Sequence, residues 1–323
     1  MVLGGRDTSL IDHPESVWRD SRGRYFVLQP NKEEMPIVFD RGGRFLRRIG
    51  RKGDGPGEFR FAAHGTVDAA DSIFIVDWVG RASVFSPDFK YVRSFPFPQG
   101  VRSMVVLRNG DLLANALVSD RQTIGLPFHL FRRDGNRYAA AGDRSRPYIH
   151  TENYRLAHRV TPAAAGGFWS VPRIGDYHLE YWNALGKREA HFRSSPDWFV
   201  ELPPDIGLRD PFKLDPPVSM IEAIWEDRSG LVWVVTRVAD PKRHLARQDT
   251  VRTPEGKAVV PSDLDRTSDS IIEVIDPRTH RVMAWHRFDE YLHFAVGGGR
   301  VANVRTRPDG FVTIRIMNVS LVR

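Results

Sequence analysis

Residues 50–88 read GRKGDGPGEFRFAAHGTVDAADSIFIVDWVGRASVFSPD. A glycine-rich turn opens the stretch. A short apolar strand is expected over 66–68, a turn at Ala70-Asp71, and a second strand over 73–76 closed by Asp77. A third run spans 81–85, and Ser86-Pro87-Asp88 forms the next turn. Strands this short cannot bury a face alone, so the unit implies neighbours built like itself.

Two signatures find those neighbours. The first is an apolar residue, then a polar one, then a turn three residues on: Val38-Phe39-Asp40 before Gly43, Leu130-Phe131-Arg132 before Gly135, and Tyr181-Trp182-Asn183 before Gly186. Val84-Phe85-Ser86 before Phe89 and Val274-Ile275-Asp276 before Thr279 are weaker copies. The second is a hairpin turn between strand-like runs, at Arg22-Gly23, Ala70-Asp71, Asn109-Gly110, Gly166-Gly167, Ser229-Gly230 and Asp309-Gly310. Such turns favour residues that tolerate positive φ. Phe39 to Phe85 and Phe85 to Phe131 both span 46 residues. A period in the forties with four short strands per unit predicts an all-β, six-bladed β-propeller of four-stranded blades.

The run Gly53-Asp54-Gly55-Pro56-Gly57-Glu58-Phe59, followed by Ile73-Phe74-Ile75-Val76-Asp77 and Arg81-Ala82-Ser83-Val84-Phe85, resembles an NHL repeat of bacterial six-bladed propeller proteins. The resemblance is strongest over residues 50–89, recognisable over 16–142 and faint beyond. It implies one propeller domain over residues 1–323, with the surplus length in a linker at 194–217 and an insertion at 239–269 in blade five. Blade six shows three strands, at 301–306, 311–316 and 319–322. An open ring would expose a sheet edge, so the N-terminus, within residues 2–11, is expected to supply the missing outer strand.

Composition narrows the classes. No apolar run approaches the ~18–20 residues needed to cross a bilayer. There is no cysteine, which excludes a disulfide, a thiolate nucleophile and a cysteine-held metal. The formal charge is +7 and the pI about 9.8. Arginine carries nearly all of the positive charge; it suits solvated outer strands as well as contact with carboxylate or phosphate. No cationic stretch followed by an apolar core opens the chain. The bacterial proteins it resembles are commonly exported, and the resemblance implies an extracytoplasmic, periplasmic place with a leader absent from this sequence.

Inner strands of a propeller line a central channel, and the residues where they begin gather at one mouth. Here those are Glu15, His64, Arg102, His158, Glu222 and either Arg300 or Asn303. His64, His158 and His293 fall at blades two, four and six and could hold a zinc ion with an open fourth position, as in the amidating lyases that resemble NHL propellers. Glu15, Glu222 and Asn303 are the oxygen donors for a calcium-dependent reading like that of the lactonases, but Arg102, Arg159 and Arg300 near the same mouth oppose a cation. The glycine run 53–57 lacks the Lys-Ser or Lys-Thr of a phosphate loop and reads as a crossover between blades; Gly297-Gly298-Gly299-Arg300 reads the same way. No G-x-S-x-G motif is present.

The leading expectation is therefore a non-catalytic module with no cofactor that docks on a protein partner, as a peripheral subunit of a larger, membrane-associated assembly. The alternative is a zinc or calcium enzyme of the amidating-lyase or lactonase kind. An RNA-binding NHL surface comes third, and would need arginines clustered on one face. Trp78, in the loop after Asp77, and Trp198, in the linker, are the aromatic contact candidates. The insertion is near neutral, with sparse apolar residues inside a polar rim, which suits a clamp; Arg243, Leu245, Arg247, Val251 and Val259 are its candidate contacts.

Overall fold

The computed structural model describes residues 1–4, 11–29, 35–118, 120–145, 148–203, 206, 214–245, 251–252, 258–259, 264–307 and 311–322, with the backbone alone at 251–252, 258–259 and 265. Six four-stranded antiparallel sheets follow one another along the chain. Blade one pairs Ser16–Arg19, Tyr25–Leu28, Ile37–Phe39 and Phe45–Arg48, from the inner strand outwards; blade two pairs Ala62–Val67, Ile73–Asp77, Arg81–Phe85 and Tyr91–Pro96. Blade three has Val101–Val106, Leu112–Ala116, Phe128–Phe131 and Arg137–Ala141, and blade four His158–Pro162, Phe168–Pro172, His178–Trp182 and Arg188–Arg193. Blade five has Met220–Glu226, Val232–Ala239, Ser268–Asp276 and Arg281–Phe288; its second and third strands flank the insertion.

Blade six is where expectation and structure part. Its inner strand is Phe294–Ala295, followed by Arg300–Thr306 and Val312–Asn318, and residues 319–322 are not a strand. The outermost strand is Val2–Leu3, paired antiparallel with Ile314 and Arg315, so the N-terminus closes the ring as expected. Each inner strand contacts the next, and the sixth contacts the first.

The core consists of the junctions between blades. One apolar cluster fills each: Phe74 with Phe97 and Leu112 between blades two and three, Phe128 with Phe168 and Trp182 between three and four, and Val27 and Ile37 with Ile314 where blade six meets blade one. Alternation along each strand puts one set of side chains on either face of the sheet, and a blade sandwiched between two others buries both. This is why a middle strand such as Ile73–Asp77 is buried at every position while the outer strand Tyr91–Pro96 is largely open to solvent. A side chain such as Phe74, with no exposed surface, contributes about 1.5–3 kcal/mol by burial.

The two ends of the ring differ. Hairpins between first and second strands, and between third and fourth, lie on one face, here the exit face. Several share one device: an oxygen at the turn's first residue accepts the N–H groups two and four residues on. Asp68 Oδ1 does so from Ala70 (2.9 Å) and Ser72 (2.7 Å), Asp40 Oδ1 from Gly42 (2.8 Å) and Arg44 (2.9 Å), and Asn183 Oδ1 from Leu185 (2.9 Å) and Lys187 (3.0 Å). These groups hold the turn from within, as Asx turns do. Gly23, Asp71, Gly110 and Gly230 take positive φ where the hairpins were expected, as do Gly43, Phe89, Gly135 and Gly186 in the outer turns. In blade five the positive φ falls on His280 rather than at Thr279, because Ile275 pairs with Val282 across a turn one residue longer than its counterparts. The first hairpin of blade six is the glycine run 297–299, read from sequence as a crossover; Asp309-Gly310 lies outside the described residues.

The glycine run 53–57 is the expected crossover, from blade one to blade two. It is braced by a parallel pairing of Arg51–Lys52 with Glu58–Phe59, and Glu58 accepts Gly55 N–H (2.8 Å) and Arg51 Nε–H (2.6 Å). The expected strand 66–68 belongs to the longer strand Ala62–Val67.

Candidate functional site

The other face, here the entrance face, is where inner strands begin and second strands end. Its centre is Glu222, whose side chain is 2% exposed. Arg159 Nη2 lies 2.9 Å and Arg173 Nη2 3.2 Å from its Oε2; Tyr291 Oη–H donates to Oε1 at 3.0 Å, and Arg237 Nε is 3.9 Å away. Burial alone would raise the carboxyl, but the guanidinium groups of Arg173, Arg159 and Arg237 outweigh it and hold the pKa at about 2. Arg159 and Arg102 are lowered, first by burial and then by Arg173. Arg102 donates to the carbonyl of Asn153 (2.9 Å) and to its Oδ1 (3.2 Å).

Three guanidinium groups thus surround one carboxylate, and a fourth, that of Arg102, stands beside Arg173. A recess of about 300 Å³ opens among Arg102, Asn153, Tyr154, Arg159 and Arg173, with His158 on its wall. The buried hydroxyl of Tyr154 and Nε of Arg173 have no hydrogen-bond partner among the described residues. Local backbone geometry aims two of the charges. Arg102 sits at a register shift between Val101 and Ser103, and Glu222 at one between Ile221 and Ala223. Each is the extra residue of a bulge, and a bulge turns its side chain out of the strict in-and-out alternation.

The expected mouth residues are therefore mostly gathered at one end, with one correction. Arg300 begins the second strand of blade six, beside the end of the inner strand, since Val301 pairs with Ala295; it lies at the opposite mouth. Asn303 is the member of that pair on the entrance side, and its side chain is committed to the Tyr291 carbonyl (2.8 Å) and to Arg305 (2.8 Å). Glu15 is raised by burial.

The three histidines do not converge. Their ligand atoms form no metal-sized group, and each has its own surroundings: His64 bonds to the Val101 backbone, His158 stacks edge-on against Phe128 (4.9 Å), and His293 Nδ1 lies 3.1 Å from the Tyr291 carbonyl and 3.2 Å from the Val304 amide. Burial pushes each imidazole down to about 4, the neutral form at ordinary pH. Of the oxygen donors in the calcium reading, Glu222 already faces three guanidinium groups, which oppose a divalent ion there.

Trp78 is 56% exposed and stands on the same face, edge-on to Phe61 (6.0 Å), in a groove of about 690 Å³ lined by Lys52, Asp54 and Arg60. Trp198 differs from expectation: it is half-buried, tilted against Tyr177 (6.0 Å) and edge-on to Phe199 (5.9 Å), and belongs to the junction of blades four and five. The linker carrying it packs Leu202 and Ile206 against Val218 and Met220. In the insertion, Arg243 reaches Asp215 of the linker (3.1 Å) and Leu245 is 71% exposed. Val251 lies in a two-stranded ribbon opposite Val259, and Arg247 is outside the described residues.

Arg173, Arg237 and Tyr291 were missed by the sequence reading. They come from strand ends and a crossover rather than from inner strands; the usable signal was that second strands finish at the mouth where inner strands begin.

Residues 2–113 match a family profile described as a 6-bladed beta-propeller. No curated protein sequence matches. The described residues contain no helix long and apolar enough to cross a membrane. Among solved structures, the WD40 domain of Neurospora crassa Pan2 aligns with 8% identity over 91% of this chain and 73% of that one, at a TM-score of 0.49. A protein of Bacteroides fragilis NCTC 9343, provisionally described as exported, aligns over 99% of this chain and 94% of its own, with 12% identity and a TM-score of 0.60, so the six-bladed propeller described here is similar in fold to that protein along its whole length.

Proposed function

We propose that this propeller is a non-catalytic binding module that docks a protein partner on its entrance face, with an acidic group of the partner entering the arginine-lined recess. The observation that carries the reading is the excess of half-buried positive charge at this mouth: Arg159, Arg173 and Arg237 around Glu222, with Arg102 on the same recess, against one buried carboxylate. Such an excess is costly to hold in a recess unless an anion completes it, and guanidinium groups match a carboxylate in planar, two-point geometry. Exposed Trp78 and Val79 stand on the same face, where the strands that flank the insertion end and begin, and supply apolar anchors around it. The repeat is read as NHL-like on the 53–59 loop and the strands after it. An extracytoplasmic place, in a membrane-associated assembly, belongs to the same reading and is supported by the description of the Bacteroides protein.

The test is a pull-down from the native organism with the parent protein and an Arg102→Ala/Arg173→Ala variant. At least tenfold less partner should be recovered with the variant at unchanged circular dichroism, equivalent to about 1.4 kcal/mol. Equal recovery would overturn the assignment of the recess.

A further inference from the structure

A second cluster lies away from the mouth, on blade four, where it faces blade three. His178 and Glu180 are two residues apart on the strand His178–Trp182 and so point to one side of the sheet. His191, on the outer strand Arg188–Arg193, is the register partner of Glu180. One ligand atom from each of the three lies within 4.8 Å of the others, and the two imidazole rings are 4.9 Å apart.

The rings are arranged for more than packing. His178 Nε2 faces Glu180 Oε1 at 3.8 Å, while its Nδ1 faces Asp176 Oδ2 at 3.4 Å. Nδ1 is buried and makes no hydrogen bond among the described residues, so it is not committed within the protein, and the carboxylates on either side of the ring favour a cation there. Glu180 Oε2 is itself anchored by Trp182 Nε1–H (3.1 Å) and Ser170 Oγ–H (3.3 Å), so its position is set from outside the cluster. A cleft of about 340 Å³ between blades three and four opens onto all three residues, and His158, with a buried Nδ1 that lacks a hydrogen-bond partner, lies on its wall.

We propose that His178, Glu180 and His191 form a divalent-metal site, with zinc the best match to two imidazoles and one carboxylate, and with its fourth position open to the cleft. Two nitrogen donors and one oxygen on a fixed sheet suit a tetrahedral ion that lacks a geometric preference of its own, and three protein ligands leave one place for water or an anion. One competitor is present: Arg188 Nη1 is 2.7 Å from Glu180 Oε1. The same atom is 3.9 Å from Asp143 Oδ2, which gives the guanidinium a second carboxylate when the metal takes the first.

The experiment uses tag-free, chelator-stripped protein and zinc chloride alone, with binding followed by competition against a chromogenic chelator and by thermal melting. One equivalent should bind, and the melting temperature should rise. His191→Ala, which alters an exposed side chain, and His178→Ala should each weaken binding at least tenfold, whereas His286→Ala, an exposed histidine on blade five, should not. Glu180→Gln is a poor sole test because Glu180 also satisfies Trp182. Substoichiometric binding, or equal binding by the parent and His191→Ala, would overturn the site.

Discussion

The two faces of this ring are built on opposite principles. On the exit face the described turns are short and are tied together by their own residues or by the next blade: Ser21 donates to Asp71 (2.8 and 2.7 Å), Arg108 to the Ala163 carbonyl (3.1 Å), and Trp169 to Glu226 (2.9 Å). On the entrance face the connections lengthen, a linker and an insertion appear, and charge of one sign accumulates around Glu222. The difference teaches where this fold spends its stability: the self-satisfied face holds the scaffold, and the other keeps unmet positive charge and open volume available for contact.

That contrast can be broken in three ways. The largest effect is expected from Glu222→Ala, which leaves Arg159, Arg173 and Arg237 without their shared carboxylate; stability in urea should fall by about 3–5 kcal/mol, and added sulfate should restore part of it. A loss below about 1 kcal/mol would mean that water solvates these guanidinium groups and the mouth is no charged recess.

Acid provides the next test. His64, His158 and His293 titrate at about 4 in the folded protein, against 6.5 when free. The unfolded chain therefore takes up protons first. The contribution of these residues is complete above about pH 6.5, falls as the pH drops towards 4, and changes no further below that. Glu222, held at about 2 against an ordinary 4.5, adds a second loss from about pH 4.5 downwards. The melting temperature should fall between pH 7 and pH 5, before carboxylates such as Asp40 and Asp276 on the exit face, which are lowered further by their hydrogen bonds, begin to titrate. A flat profile over that range would remove the histidines from the argument.

The smallest effect is expected on the exit face. Asp68→Ala removes an acceptor for two amides and the partner of Arg133 (2.5 Å), and should cost about 1–3 kcal/mol by chemical denaturation. If it equals the Glu222 loss, the two faces are not energetically distinct.

Much of the ring was legible because its signals are local. Asp40, Asn183 and Asp227 each begin a turn whose chemistry lies within five residues, and the strands around them follow. Blade six was misread because its inner strand has only two residues and its first hairpin consists of glycines, which resemble a crossover when nothing shows the pairing. The mouth was partly legible, through Arg102, His158 and Glu222. Bulges are invisible in composition, and the partners of Glu222 arrive from positions 159, 173, 237 and 291, a convergence that only the closed ring brings about.

Ring closure also sets an order of events. Leu3 is fully buried against a strand more than three hundred residues later, with Ile316 N–H donating to the Met1 carbonyl at 2.8 Å. A ribosome releases the N-terminal segment long before Val312–Asn318 exists, so that segment waits, an apolar stretch beside an unpaired sheet edge, while five blades assemble. Pairing across so wide a separation is slow because the chain must first surrender the freedom of the whole loop. The last seam to form is also the thinnest, two residues at its inner strand and two at its outer, so amide exchange in the native protein should open there before it opens anywhere else in the ring.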